Sequence, residues 1–256
     1  MSRQLAGKTY WLVGASEGLG RALAVQMSKA GCALILSARD MGKLQRLAAE
    51  LPSPAQVVAC DVADRASVMA AARAAWPMDG VVWLAGVYWP FAAQKWDAEK
   101  AEAMFDINLS GAARVLGQVV PQMVARGQGH IVITGSLSGY RGLPGAIGYS
   151  SSKAGLMHLA ESLYADLRGT GVDVQLANPG FIRTRLTDRN DFRMPFLMEP
   201  EQAAAEIMAL MRGHRFQRAF PRLFSLLFRG ANFLPDWAYY RLFARKPGNH
   251  RPAVSR

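Results

Sequence analysis

The sequence predicts a doubly wound α/β fold, in which a parallel sheet carries helices on both faces. Three observations predict this fold. Short apolar runs alternate with stretches of helical periodicity between residues 8 and 220. The runs are apolar throughout, as in strands that are covered on both faces, and do not alternate with polar residues. A glycine-rich turn joins the first run to the first helix, where ligands of such sheets bind.

The elements follow one another in strict strand–helix order. The predicted strands span residues 8–13, 32–37, 56–60, 80–85, 130–134, 172–177 and 216–220. The predicted helices span residues 21–30, 40–51, 64–76, 97–125, 149–168 and 201–212. Gly31 and Pro52 are expected to end the first two helices. Because crossover connections are right-handed, this order builds one domain over residues 1–221.

The composition is that of an ordinary globular protein, with 51% hydrophobic and 19% charged residues among 256. Cys32 and Cys60 lie in predicted strands, so we expect two buried thiols. Their spacing fits neither a disulfide framework nor a metal site, and no metal is expected. Residues 1–8 are polar and no apolar run is long enough to span a bilayer, so we expect a cytoplasmic protein.

The turn after the first strand reads GASEGLG over residues 14–20. Glycines at 14, 18 and 20 permit a tight turn and let backbone amides approach a phosphate at a helix N-terminus. A purely structural turn is the alternative. The same letters match the G-x-S-x-G nucleophile elbow of hydrolases, which we reject because several strands should precede that motif and a suitable downstream histidine is missing.

Arg39 follows the second strand, where an acidic residue would bind the ribose hydroxyls of NAD. An arginine there can pair with the 2′-phosphate of NADP, although a solvated arginine is the alternative. Asp61 and Val62 follow the third strand and are expected beside the adenine. Ala85 and Gly86 follow the fourth strand and offer another close backbone approach.

Tyr149 and Lys153 are four residues apart and share one face of a predicted helix. A tyrosine beside an ammonium can act as a proton donor or base, because the positive charge lowers the pKa of the phenol. Ser136 follows the fifth strand, and its hydroxyl can polarise a substrate oxygen. Asn108 lies in the long helix before it, where its amide could hold a water for a proton relay.

Together these motifs resemble those of the short-chain dehydrogenase/reductase family over residues 6 to about 221. The glycine turn matches the family's T-G-x-x-x-G-x-G, and Asn108, Ser136, Tyr149 and Lys153 match its catalytic tetrad. The resemblance implies a Rossmann-type sheet of strand order 3-2-1-4-5-6-7 and a dimer or tetramer. It also implies a cofactor site formed by Gly14, Ser16, Glu17, Gly18, Leu19, Gly20, Arg39, Asp61, Val62, Ala85, Gly86, Tyr149, Lys153, Pro179, Gly180, Ile182 and Thr184.

Three positions depart from the family pattern. Val13 replaces a threonine, so a structural hydrogen bond is lost. The segment 83–86 reads WLAG where the family has Asn-Asn-Ala-Gly, so an asparagine that braces the central sheet is absent. Glu17 stands where NADP-preferring relatives often carry a basic residue, which opposes the preference that Arg39 indicates.

Residues 222–256 form a basic extension beyond the predicted domain. Residues 212–256 hold ten Lys and Arg against one acid, a net charge of +9 out of +11 for the chain. Residues 222–236 predict an amphipathic helix broken by Pro235, and residues 237–245 predict a second piece. A membrane-surface helix at 222–245, a cover over the substrate pocket and a subunit interface are the alternatives; nucleic acid is less favoured because no base-stacking groove is indicated.

The functional hypothesis is an oxidoreductase that exchanges a hydride between NADP(H), or less favourably NAD(H), and a carbonyl or alcohol. The loop of residues 185–199 is rich in Met and Phe, which suits a hydrophobic or lipid-like substrate or else an ordinary packed loop. The alternative from another class is a non-catalytic NADP(H)-binding sensor or scaffold. If the extension touches a membrane, we expect it at the inner face.

Overall fold

The computed structural model describes residues 2–190 and 194–243 as a seven-stranded parallel sheet flanked by helices. The strand order is 3-2-1-4-5-6-7, so the predicted doubly wound fold is confirmed. The strands are β1 Thr9–Val13, β2 Ala33–Ala38, β3 Ala55–Ala59, β4 Gly80–Trp83, β5 Gly129–Thr134, β6 Val172–Pro179 and β7 Gln217–Phe220.

The helices of this part of the chain cover both faces of the sheet. They are α1 Gly18–Lys29, α2 Met41–Glu50, α3 Arg65–Ala75, α4 Ala98–Phe105, α5 Gly111–Arg126, α6 Ile147–Asp166, α7 Pro200–Arg212, α8 Arg222–Ala231 and α9 Asp236–Phe243. Residues of α3, α5 and α6 pack with one face of the sheet, and residues of α1, α2 and α7 pack with the other. No helix of the described ranges is both long and apolar enough to cross a membrane.

Local sequence accounts for the ends of these helices. Asp40, Asp64 and Asp97 cap α2, α3 and α4, because each carboxylate accepts a hydrogen bond from a backbone N–H of the first turn. Gly31 adopts a positive φ of 82° just beyond α1, as expected for the residue that stops a helix. Because all the strands of the sheet are parallel, the strands end, and the helices that follow them begin, along one edge of the sheet.

Two predicted helices differ from the structure. The predicted helix 97–125 is interrupted by a π-helical turn at Asp106–Ser110, which joins α4 to α5. The predicted helix 222–236 ends at Ala231, four residues before Pro235, and α9 begins after the proline. A π-turn alters the helix over a single turn, and a turn at a helix end spans only a few residues, so neither stands out in an apolar pattern that is read over a longer window.

Two tryptophans lie in the central strands. The Trp11 indole N–H donates to the Ser37 hydroxyl at 2.8 Å and so joins β1 to β2. Trp83, at the end of β4, is fully buried, and its indole N–H has no hydrogen-bond partner among the described residues. An aromatic ring thus stands at position 83, where the family has an amide.

At the opposite edge of the sheet, His130 is buried in a polar cluster. Its ring nitrogens contact the Tyr10 hydroxyl at 2.8 Å, the Gln175 amide oxygen at 2.9 Å and the Arg3 guanidinium at 3.0 Å. Burial, and then the Arg3 charge, lower the pKa of His130 to about 3. The ring is therefore neutral at neutral pH and serves as a hydrogen-bonding link between β1, β5 and β6.

Candidate active site

The glycine-rich turn lies between β1 and α1, packed closely on its neighbours. A Cβ on Gly14, whose φ is 96°, would lie 2.5 Å from the backbone nitrogen of Ala85. A Cβ on Gly18 would lie 2.8 Å from the Thr184 side chain. Glycine is therefore favoured at both positions, and the turn packs directly against the segments after β4 and β6.

The other predicted cofactor residues are arranged along the same edge. Ser16 and Leu19 are half-buried in the turn, and Gly20 is buried, with its Cα against the Gly14 carbonyl. Asp61 closes its own turn by accepting from the backbone N–H of Ala63 at 3.0 Å, whereas Val62 packs on Gly111 of α5. Cofactor contact by Asp61 and Val62 stays a prediction.

Glu17 and Arg39 occupy different electrostatic settings. The Glu17 carboxylate is ion-paired with the Lys43 ammonium and, at 3.2 Å, with the Arg185 guanidinium. Arg39 is exposed at the end of β2, and no carboxylate of the described residues lies within ion-pair distance of it. The negative charge that opposed an NADP preference is thus offset by two cations, while Arg39 stays available to an anion.

Ser136, Tyr149 and Lys153 come together after β5 and at the start of α6. The Ser136 side chain lies close enough to the Tyr149 hydroxyl to oppose the rise in its pKa, and the Lys153 ammonium lies 5.8 Å from the centroid of the Tyr149 ring. Lys153 is buried and donates to the Thr134 carbonyl at 2.9 Å. One hydroxyl pair and one ammonium therefore share a single site.

The pKa values in this site reflect burial. Burial raises the pKa of Tyr149 to about 12, although the Ser136 hydrogen bond acts in the opposite direction. Burial lowers the pKa of Lys153 to about 8. The sequence predicted that Lys153 would lower the pKa of Tyr149; in the structure burial is the largest effect, and the phenol is protonated at neutral pH.

Asn108 lies in the π-turn and is fully buried. Its amide oxygen accepts from the Val87 N–H at 2.7 Å, and its amide nitrogen donates to the Val87 carbonyl and to the Ser152 hydroxyl, both at 3.0 Å. Both amide N–H groups are thus used within the protein. Asn108 fixes the segment after β4 against α6, and the relay role predicted for it stays a prediction.

The segments after β4 and β6 close over Tyr149, a feature that the sequence did not indicate. The Tyr88 ring packs edge-on against Tyr149 with centroids 5.0 Å apart. The Tyr88 hydroxyl donates to the Asn190 amide oxygen at 3.1 Å, and Arg189 donates to the Tyr88 carbonyl at 2.8 Å while lying over the Trp89 ring at 5.0 Å. We call this set of contacts the loop bridge.

The segment after β6 also meets the extension. Gly180 donates its N–H to the Phe220 carbonyl at 2.8 Å, and a Cβ on it would lie 3.1 Å from the Phe224 ring of α8. Phe224 in turn packs against Phe181, Phe196 and Phe228, with centroids 5.0–5.9 Å apart. We call these four rings the aromatic cluster; Phe192, also expected in this region, lies outside the described residues.

The remaining predicted positions follow the same pattern. Pro179 is buried as the last residue of β6, Ile182 is buried, and Thr184 is half-buried against Gly18. A Cβ on Gly86 would lie 3.4 Å from the Asn108 amide oxygen and 3.7 Å from the Lys153 ammonium. Among the described residues no group of three or more His, Cys, Asp or Glu side chains could hold a metal.

Comparison with known proteins identifies the family. The family model described as short chain dehydrogenase matches residues 8–193. An uncharacterized oxidoreductase of Myxococcus xanthus is 38% identical over 242 residues, covering 91% of this chain and 95% of its own. The 3-oxoacyl-(acyl-carrier-protein) reductase FabG of Rickettsia conorii is 31% identical over 185 residues, covering 72% and 77%.

A solved structure agrees with this assignment. The short chain dehydrogenase/reductase of Burkholderia phymatum, in complex with NAD, superposes with a TM-score of 0.81 at 25% identity, covering 89% of this chain and 93% of that one. The resemblance predicted from the motifs is thereby confirmed. The chain belongs to the short-chain dehydrogenase/reductase family and is an oxidoreductase of that family.

Proposed function

We propose that this oxidoreductase exchanges a hydride between NADP(H) and a hydrophobic carbonyl or alcohol. The observation that carries the proposal is the proximity of the Ser136 and Tyr149 hydroxyls in one site with the buried ammonium of Lys153. Asn108, which ties the segment after β4 to α6, completes the proposed tetrad. When bound, a nicotinamide cofactor supplies or accepts the hydride.

In the reductive direction Tyr149 gives its phenolic proton to the substrate oxygen, and the carbonyl becomes an alcohol. The Ser136 hydroxyl hydrogen-bonds that oxygen and polarises the carbonyl. A tyrosinate remains, and the Lys153 ammonium nearby lowers the energy of that anion. In the oxidative direction the same tyrosinate takes the proton from the alcohol, so one residue serves as acid and as base.

The residues at this edge of the sheet fit a dinucleotide. Gly14 and Gly18 let the turn pack against Ala85 and Thr184, which brings the N-terminus of α1, where backbone N–H groups suit a pyrophosphate, beside the segments after β4 and β6. Arg39 would bind the 2′-phosphate as a charge-assisted pair. The two cations on Glu17 support the preference for NADP(H) over NAD(H), because they offset the carboxylate that would repel the phosphate.

The cofactor proposal is tested by titrating NADPH and NADH in parallel against the wild type and Arg39→Ala. Losing a charge-assisted pair is expected to weaken NADPH binding about 10- to 100-fold and to leave NADH binding unchanged. Arg73→Ala is the matched control, since Arg73 is also exposed and has no ion pair within the described residues. Tighter binding of NADH by the wild type would contradict the proposal.

The catalytic proposal is tested with Tyr149→Phe on a panel of hydrophobic ketones and alcohols. Turnover is expected to fall at least about 100-fold, whereas the Kd for NADPH stays within about twofold. Full turnover by the variant would refute the role of Tyr149. Tight NADPH binding by the wild type without turnover of any compound would favour the sensor or scaffold alternative.

The substrate class rests on the aromatic cluster beside Gly180, whose four rings offer an apolar surface next to the proposed reaction site.

The division at residue 221, a cytoplasmic location, a homo-oligomer and membrane contact through residues 222–245 also remain proposals. Light scattering of the purified protein tests the oligomer, with a monomer at micromolar concentration as the contrary result.

A further inference from the structure

Helix α8 is apolar on two sides. Phe224 and Ala231 are buried against the domain, as expected for a helix that packs on its own core. Leu223, Leu226 and Leu227 lie on another side and are 66%, 62% and 61% exposed. Because they are spaced by three and four residues, they form one stripe on the helix surface.

The chain beyond α8 adds further exposed rings and leucines. Phe233 is 90% exposed and Trp237 is 72% exposed, and Leu242 in α9 is also exposed. Several exposed large apolar side chains within one short segment are typical of a contact site for another protein or a membrane. We call Leu223, Leu226, Leu227, Phe233 and Trp237 the apolar face.

Arginines lie beside this face. Arg215, Arg218, Arg222 and Arg229 line an open depression of about 460 Å³ whose wall also includes Leu226. Arg218 is paired with Glu206, but no carboxylate of the described residues lies within 4.0 Å of the other three guanidinium groups. The same region of the sequence, residues 212–256, carries the net charge of +9.

We propose that the apolar face and the arginine-lined depression dock together on the surface of an anionic lipid bilayer. Leucine and aromatic side chains would insert at the boundary between headgroups and acyl chains, while the guanidinium groups bind lipid phosphates. A second copy of the chain fits less well. In a two-fold dimer each face meets itself, so the arginines of the two copies would be brought together with like charge.

The proposal deepens the suggested membrane contact and does not rest on the proposed reaction, because docking is measured without turnover. The purified full chain is sedimented with vesicles of phosphatidylcholine alone and with vesicles containing phosphatidylglycerol, at low and at high salt. We expect binding to the anionic vesicles that weakens as salt rises, and little binding to phosphatidylcholine.

Two double variants locate the contact. Arg222→Gln with Arg229→Gln is expected to weaken binding to anionic vesicles about 30-fold, because each arginine near such a surface contributes about a factor of five. The control is Arg73→Gln with Arg168→Gln, which removes the same charge from exposed positions outside the extension. Leu223→Gln with Leu227→Gln is expected to weaken binding at least about tenfold while leaving charge unchanged.

The outcomes separate the possible occupants. Loss of binding in both test variants, with the control, the melting temperature and the light-scattering mass unchanged, supports docking on the bilayer. Absence of wild-type binding to anionic vesicles at low salt overturns the proposal. If the leucine variant still binds the vesicles, the proposal is overturned in favour of attraction by charge alone. If the leucine variant instead loses an oligomer, the proposal is overturned in favour of a contact between copies of the chain.

Discussion

Arg141 lies in the segment that joins Ser136 to Tyr149, and its side chain binds the C-terminal helices. Its guanidinium donates to the Ala231 and Leu234 carbonyls, each at 2.8 Å, and pairs with Asp236 at 2.5 Å. It also lies 4.0 Å from the centroid of the Tyr239 ring. We predict that Arg141→Ala raises the population in which α9 and the turn before it leave the domain, while the sheet stays folded.

The size of the effect follows from these contacts. The two hydrogen bonds from a charged donor contribute about 2 kcal/mol together at this partly exposed position. The stacking on Tyr239 adds about 1 kcal/mol. The ion pair adds little, because the Asp236 side chain is 87% exposed and water screens it. A loss of about 3 kcal/mol raises the population of the released state about 100-fold.

Limited proteolysis with chymotrypsin measures that population, since Phe233 and Trp237 are exposed cleavage sites near the Arg141 contacts. Cleavage between residues 228 and 243 is expected to be about 100-fold faster in Arg141→Ala. The matched control is Arg126→Ala, because Arg126 also donates to two carbonyls, those of Met78 and Gln128, and lies over a ring. If the cleavage rate of Arg141→Ala is unchanged, or if the control is accelerated equally, the role assigned to Arg141 is refuted.

Three further predictions concern stability, each measured by thermal or denaturant unfolding. Gly14→Ala should lower the free energy of unfolding by about 3 kcal/mol, since its Cβ would clash with Ala85 at a positive φ. Gly117→Ala, in α5 with open space around it, should raise the free energy of unfolding by about 1 kcal/mol. Equal effects of the two substitutions would contradict this account of Gly14. The folded pKa of His130, about 3, is below its unfolded value, so stability should fall by about 1.4 kcal/mol per unit as pH drops from about 6.5, and less steeply in His130→Gln. The folded pKa of Lys153, about 8, is also below its ordinary value, so burial of the ammonium costs stability at pH 7. Lys153→Met should therefore raise the melting temperature at pH 7 by roughly 5 °C or more, and this gain should vanish near pH 10.5. A lower melting temperature of the variant at pH 7 would show that the Thr134 hydrogen bond outweighs burial.

The fold and the neighbourhood of the site could be predicted because both depend on local pattern. Continuous apolar runs identify buried parallel strands, and residues just after those runs must share one edge of the sheet. Ser136 after β5 and Tyr149 at the start of α6 therefore had to approach each other. Helix boundaries were predicted less accurately, because a cap or a π-turn changes the backbone over only a few residues of a longer pattern.

The contacts that the sequence did not indicate are long-range and involve backbone groups. Arg141 in a loop resembles any solvated arginine, since its partners are carbonyl oxygens 90 and 93 residues away. The ion pairs of Glu17 join three separate segments, so the residue by itself suggested only a weaker preference for NADP(H). Burial of Tyr149, which raises its pKa, depends on Tyr88 and on the loops around it.

The loop bridge would oppose the entry of any substrate that approached Tyr149 from that side. A substrate arriving from that side must part the Tyr88–Asn190 and Arg189–Tyr88 hydrogen bonds and lift Arg189 from Trp89. At about 1 kcal/mol for each hydrogen bond and somewhat less for the stacking, opening would cost about 2.5 kcal/mol, which would leave roughly one molecule in 70 open at a given moment. The apparent affinity for such a substrate would then be reduced by that same factor, and a substrate that contacted Tyr88 in the open state would recover part of it.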